Sequence, residues 1–291
     1  MYELHHLKGN TYYIDGKTNC GVYKLNDNND VLLFDCGMDT DGKYIYETLE
    51  NAGMHITHLL FSHCHADHAG GWKFIYEKTH CKMIASKVER GFFRDAKLDL
   101  GFLYGGYPLD EYDSRLMHID SNDEIYALDE IPEGVEFFHL PGHHYGMIGI
   151  RTSDDVYFVA DTLGSIDLVE RAHILLIYDV KGYLESLDFV KSLEGKIVVP
   201  SHSEVSTHIT PVVEYNRSNI YDIIDILLDY LKEEHNCTEC TSYIFDYFKL
   251  KITYNKYMLI LSTIRSYLSY LSNSKRIRNY FKDNRLVFIN D

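Results

Sequence analysis

The stretch Ser62-His63-Cys64-His65-Ala66-Asp67-His68-Ala69-Gly70-Gly71 decides how the rest of the chain is read. It follows the apolar run His58–Phe61 and precedes a helical pattern, so it predicts a loop between a strand and a helix. Imidazole and carboxylate groups packed this densely suit Zn²⁺ and related first-row ions. In such a loop His63 and His65 can point to one side while Asp67 and His68 turn onto another. Two ligand clusters a few ångströms apart are what a two-metal site requires.

Outward from this motif, short β-type runs alternate with helical ones over the first 200 residues or so. Strands are expected at Tyr2–Lys8, Thr11–Asp15, Gly21–Leu25, Val31–Phe34, His58–Phe61, Cys81–Ala85, Val135–Leu140, Met147–Arg151, Val156–Val159 and Lys196–Val199. Helices are expected at Tyr44–Ala52, Ala69–Lys78, Ser86–Arg94 and Tyr183–Leu193. The pattern predicts an α/β, αββα layering in which sheets are covered by helices. From Asp95 to Asp129 the periodicity is weak and Gly, Tyr and Asp abound, so this segment reads as a functional loop. Its Tyr104, Tyr107 and Tyr112 are candidates for lining a substrate pocket, or for covering apolar surface.

The character changes after Pro211. Val212–Lys232 is an amphipathic helix, Thr238–Lys249 and Tyr254–Leu271 are helical by pattern, and Arg276–Phe281 with Leu286–Ile289 reads as a hairpin. A catalytic domain over residues 1–210 and a helical, winged-helix-like region over 211–291 are therefore expected. Cys237, Cys240 and His235 lie close together, but no second Cys pair stands at finger spacing, and Thr238 as the cap of a new helix explains them equally well.

Composition bounds the function. The 291 residues hold 28 Lys and Arg against 44 Asp and Glu, for a net charge of −16, which disfavours polyanionic partners. That average conceals a contrast: residues 241–291 carry 9 basic and 3 acidic side chains, a surplus of +6, leaving −22 on the remainder. The basic side chains alternate with Tyr254, Tyr257, Tyr267, Tyr270, Tyr280 and Phe281, a pattern able to hold single-stranded nucleic acid. Docking of this region on the acidic body accounts for the same charges. The longest apolar runs fall far short of the ~20 residues of a membrane span. Scattered cysteines and the lack of a leader pattern predict a cytoplasmic protein with reduced thiols.

Four further motifs follow in order: Leu33-Phe34-Asp35-Cys36-Gly37, Leu140-Pro141-Gly142-His143-His144, Phe158-Val159-Ala160-Asp161-Thr162 and Val199-Pro200-Ser201-His202. With the first, they resemble the metallo-β-lactamase superfamily and its His-x-His-x-Asp-His signature. The resemblance implies two divalent metal ions, zinc foremost with iron or manganese as alternatives. It implies that His63, His65 and His143 hold the first ion, that Asp67, His68 and His202 hold the second, and that Asp161 is shared. Asp67 would double as the catalytic proton acceptor, and Asp35 would support the ligands from behind. His143 is preferred over His144 because it directly follows Pro-Gly, which leaves His144 to face substrate or solvent. The implied activity is hydrolysis of a small ester, thioester or lactone. A metal-dependent endoribonuclease acting on single-stranded RNA is the alternative, with nucleic acid not favoured as partner. A non-catalytic metal-binding scaffold that forms a homodimer through its C-terminal region comes third.

Overall fold

A computed structural model describes residues 2–95, 97–112 and 124–290. The first sheet contains β1 (Leu4–Lys8), β2 (Thr11–Ile14), β3 (Cys20–Lys24), β4 (Asp30–Phe34), β5 (His55–Leu60), β6 (Lys82–Ile84) and β7 (Ile125–Tyr126), in that spatial order. Strands β1 to β4 pair antiparallel, and β4 to β7 run parallel. The second sheet is formed by β8 (Val135–His139), β9 (Ile148–Thr152), β10 (Val156–Phe158) and β11 (Ile197–Val199), in the order β11-β10-β9-β8.

Side-chain alternation along β4 shows how the layers assemble. Leu32 and Phe34 face the second sheet and pack with Ile148, Ile150, Val156, Phe158 and Val199. Val31 and Leu33 face the other way, among Ile45 and Leu49 of α1 (Gly42–Asn51) and Ile75 of α3 (Trp72–Thr79). A strand buried on both faces reads as an unbroken apolar run, as Val31–Phe34 does. The outer face of the second sheet is covered by α7 (Val180–Lys191) and α8 (Thr210–Tyr230), which completes the αββα arrangement.

The expected helix Ala69–Lys78 is two helices, α2 (Ala66–Ala69) and α3, broken at Gly70-Gly71. The break has a steric cause: a Cβ on Gly71 would lie 2.3 Å from the Cys36 carbonyl oxygen and 2.7 Å from the Cα of Gly42. Bare backbone at Gly42 and Gly71 lets the start of α1 touch the end of the metal-ligand motif. The segment expected to be irregular, Asp95–Asp129, instead contains α5 (Lys97–Tyr104), just after α4 (Lys87–Arg94), together with β7; its residues 113–123 lie outside the described residues. Helix α6 (Ile166–Ala172) also lacked a sequence signal.

In the C-terminal region the expected order of helices followed by a hairpin is present: α8, α9 (Cys237–Tyr247), α10 (Tyr254–Asn273), then β13 (Arg278–Lys282) and β14 (Arg285–Ile289). A two-residue strand β12 (His235–Asn236) adds to β14. Asn236, not Thr238, caps α9, in a reciprocal pair of hydrogen bonds with Glu239. The contact that holds this region is apolar. Ile220, Ile223, Ile244, Ile260, Ile264 and Tyr267 belong to one buried cluster with Leu140, Val159, Leu187 and Val198 of the body. Met258 of α10 also packs on Leu100 and Leu103 of α5. Among the described residues no helix is long and apolar enough to cross a membrane. The six cysteines are unpaired, and all but Cys237 are buried.

Two glycine substitutions test the steric reading. Gly71→Ala should lower stability by about 1–3 kcal/mol, because neither neighbouring backbone can retreat. Gly91→Ala in α4, where an added Cβ meets nothing within 4 Å, should stabilise by about 0.5–1 kcal/mol. Urea midpoints of the two variants against wild type provide the check.

Candidate metal centre

All the motifs singled out in the sequence meet at one edge of the sandwich, because each follows the C-terminal end of a strand. Asp35 follows β4, His63 to His68 follow β5, His143 follows β8, Asp161 follows β10 and His202 follows β11. The register brings these ends level, with Phe34 beside Leu60 and Phe158 beside Val199. Two links tie the loops together across the sandwich. Ile148 N–H donates to the Ser62 carbonyl at 3.1 Å, and Asn19 donates through its side-chain amide to the carbonyls of Pro200 and Ser203, each at 2.9 Å.

Three ring nitrogens converge in the first cluster. His65 Nδ1 lies 2.9 Å from His63 Nε2 and 3.1 Å from His143 Nε2. A single proton on His65 could satisfy only one of these contacts. The outward nitrogen of His143 donates to the Leu176 carbonyl at 3.0 Å, so its inward nitrogen presents a lone pair. The second cluster brings together His68, Asp67 and His202. His202 Nε2 lies 3.3 Å from Asp67 Oδ2, while its Nδ1 donates to the Lys17 carbonyl at 2.9 Å. Asp161 stands between the clusters, with Oδ1 3.0 Å from His68 Nε2 and Oδ2 3.4 Å from both His143 Nε2 and His202 Nε2.

This donor set fits divalent cations. His63, His65 and His143 form one group of ligand atoms within 4.8 Å of one another; His63, His68 and Asp161 form another, and Asp67, His68 and His202 a third. His68 Nε2 and Asp161 Oδ1, 3.0 Å apart, are both buried and have no hydrogen-bond partner beyond each other. Buried polar atoms of this kind are costly unless something binds them. Burial, then the crowding of the rings, holds His63 and His65 well below the usual imidazole range. Burial also lowers His143, so these rings are neutral and able to ligate. Burial opposes charge on His202 as well, but Asp161 and Asp67 outweigh it and push this group up to about 10. For Asp161, burial is outweighed by His202 and His68, which hold its carboxyl well below the ordinary value.

Asp35 lies behind His68 and Ser62. Its side chain is fully buried and accepts from Ser62 N–H and Ser62 Oγ, both at 2.7 Å, and from His68 Nδ1 at 2.9 Å. The backbone there has a φ of +63°, which costs a non-glycine residue about 1 kcal/mol or more.

Other parts of the neighbourhood were not legible. His144, expected to face substrate or solvent, is fully buried between Glu89 Oε1 at 2.6 Å and Asp99 Oδ1 at 3.4 Å. Beside it stand Tyr178, Tyr145 and Phe102 in an aromatic cluster. Of the loop tyrosines, Tyr107 is 75% exposed and lies near Lys97, Tyr104 ends α5, and the backbone of Tyr112 closes a short 3-10 turn, Asp110–Tyr112.

Two sheets sandwiched between helices, with a histidine and carboxylate cluster at one edge, define the class of fold. The chain belongs to the metallo-beta-lactamase superfamily, whose model matches residues 13–202. It is similar to the hydroxyacylglutathione hydrolase of Pelagibacter ubique (strain HTCC1062), with 27% identity over 150 residues, or 49% of this chain and 54% of the relative. The chain thus matches about half the length of that curated relative. Among solved structures, a beta-lactamase domain protein from Burkholderia ambifaria superposes with a TM-score of 0.74 at 14% identity, covering 99% of this chain and 93% of that one. Metallo-beta-lactamase family protein TTHA1429 from Thermus thermophilus gives 0.69 at 15% identity, covering 94% of each chain. TTHA1623, described in a di-iron-bound form, gives 0.50 at 18% identity, covering 69% of this chain and 93% of that one.

The supporting role of Asp35 is testable by substitution. Asp35→Ala leaves His68 and the Ser62 amide without a buried partner and should cost about 3–5 kcal/mol. Asp39→Ala, at an exposed position where the carboxylate accepts only from Thr40 N–H, should stay within about 0.5 kcal/mol of wild type. Chemical denaturation of the metal-free proteins measures both.

Proposed function

We propose that the protein is a metal-dependent hydrolase acting on a small ester, thioester or lactone. The observation that carries this reading is the convergence of His63, His65, His143, Asp161, Asp67, His68 and His202 on one edge of the sandwich. His63, His65 and His143 would hold one ion and Asp67, His68 and His202 the other, with Asp161 shared. When bound, two divalent ions lower the pKa of water toward about 7 and polarise the oxygen of a scissile carbonyl. Zinc suits five imidazoles and two carboxylates, and iron or manganese suits them also.

The chain's own residues divide the remaining work. Asp67, 29% exposed, is the more open of the two carboxylates of the cluster, and it would orient the attacking water and take its proton. His202, with its Nδ1 hydrogen committed to the Lys17 carbonyl, keeps Nε2 directed at Asp67. Asp35 fixes His68 in one tautomer, as a carboxylate behind a ligand histidine does.

Support for a small substrate comes from charge and from similarity. The chain is acidic overall, which disfavours long polyanions. The relative named hydroxyacylglutathione hydrolase acts, by its name, on an acyl conjugate, which favours acyl bonds over phosphodiesters. The basic C-terminal region gives RNA no stronger claim, since its main contacts are the apolar ones that seat it on the body, and Lys282 is paired with Glu234.

Metal-loaded protein assayed against thioester, lactone and single-stranded RNA panels tests the reading. Turnover of an acyl substrate should disappear with a chelator, return with added metal, and fall more than about 100-fold in His63→Ala and Asp161→Asn. Cleavage of RNA alone, lost in the same variants, would overturn the substrate class.

A further inference from the structure

Five histidines line the centre, and in four of them the ring nitrogen turned away from it is partnered. His63 Nδ1 meets Ser62 Oγ at 2.9 Å, His68 Nδ1 meets Asp35 at 2.9 Å, His143 Nδ1 meets the Leu176 carbonyl at 3.0 Å, and His202 Nδ1 meets the Lys17 carbonyl at 2.9 Å. His65 is the exception. Its Nδ1 faces the centre, and its outward Nε2 is buried without a hydrogen bond. The carboxylate that faces this nitrogen is Asp99, whose Oδ2 lies 4.0 Å away and is itself buried and without a hydrogen bond.

We propose that Asp99 is the positioning residue for His65, and that Glu89 and His144 hold Asp99 in place for that task. The inference rests on the dinuclear reading above. A separation of 4.0 Å closes with a small side-chain rotation, and the resulting bond would satisfy two buried groups at once. It would fix the hydrogen of His65 on Nε2 and leave the Nδ1 lone pair for the centre, the same arrangement that Asp35 gives His68.

The anchoring is buried throughout. Asp99 is 1% exposed, and Glu89 and His144 are fully buried. His144 spans the two carboxylates, with Nδ1 2.6 Å from Glu89 Oε1 and Nε2 3.4 Å from Asp99 Oδ1. Glu89 is tied in turn to both ligand loops, accepting from Cys64 N–H at 2.8 Å and from Gly146 N–H at 2.9 Å. Glu89, His144 and Asp99 are thus linked in turn behind the first cluster, and Asp99 stops 4.0 Å short of His65. Asp99 lies on α5, the helix that leads into Tyr104 and Tyr107, so any shift of that segment would reach His65 directly.

Stepwise metal titration, with metal content per chain, tests the assignment on wild type, Asp99→Asn and Asp99→Ala. Far-ultraviolet circular dichroism of the metal-free proteins confirms that each variant folds. Asp99→Ala should bind one of the two ions about 10–100-fold more weakly and the other unchanged. Asp99→Asn, which keeps an acceptor oxygen for His65, should recover part of the loss. A merely structural role would weaken both ions alike or neither, and either result overturns the proposal. So does a third ion in wild type that disappears in Cys64→Ser, since Cys64, Asp99 and His144 would then be ligands themselves. Wild-type protein that takes up no ion would overturn the dinuclear reading and this inference with it, whereas two ions insensitive to Asp99 would overturn this inference alone.

Discussion

A carboxylate buried at the end of β4 governs how the rest of the edge is built. Asp35 buries a strongly polar side chain out of reach of water, in a left-handed backbone conformation that its residue type disfavours. Both costs are offset because its two oxygens take three hydrogen bonds, from Ser62 N–H, Ser62 Oγ and His68 Nδ1. Its own N–H donates to the Leu60 carbonyl at 2.9 Å and continues the ladder between β4 and β5. The start of the ligand motif is thereby fastened to the neighbouring strand, and the direction of His68 follows from that fastening. Gly70 and Gly71 complete the constraint by letting the chain leave the motif against bare backbone.

The architecture extends the same logic. Strands β8, β10 and β11 end where β4 and β5 end, so loops far apart in sequence arrive at a shared edge. The rigid parts are apolar: one cluster between the sheets and one on each outer face. The C-terminal helices belong to the outermost of these clusters, so the region with the opposite charge is seated by burial of Ile, Leu and Tyr side chains.

What could be read from the sequence was what local spacing encodes. Val31–Phe34 announces a strand buried on both faces, and the ligand motif brings four ligand-type side chains within six residues. Asp35, His143, Asp161 and His202 were recognisable only through the resemblance to the superfamily, whose motifs their surroundings match in order. Glu89, Asp99 and His144 were not, because their meeting depends on contacts spanning 45 and 55 residues. Helix α5 was hidden for a related reason. Lys97–Tyr104 buries Leu100 and Leu103 while Leu98 and Phe102 are exposed, so no single apolar stripe marks it. The break at Gly70-Gly71 left a local trace, a Gly-Gly pair within a helical pattern, but its steric cause is backbone 29 residues or more upstream.

The two sheets contribute unequal shares of the centre. The motif after β5 belongs to the first sheet, whereas His143, Asp161 and His202 belong to the second. His65 and His143, 78 residues apart in sequence, meet only after the sheets have packed face to face. The centre is therefore a seam rather than a pocket within one layer, and neither half of the chain holds all of it. An ion held there would act as a rivet between the layers: it would bind only the folded chain, so its binding free energy would add to the stability of a protein whose cysteines form no disulfide.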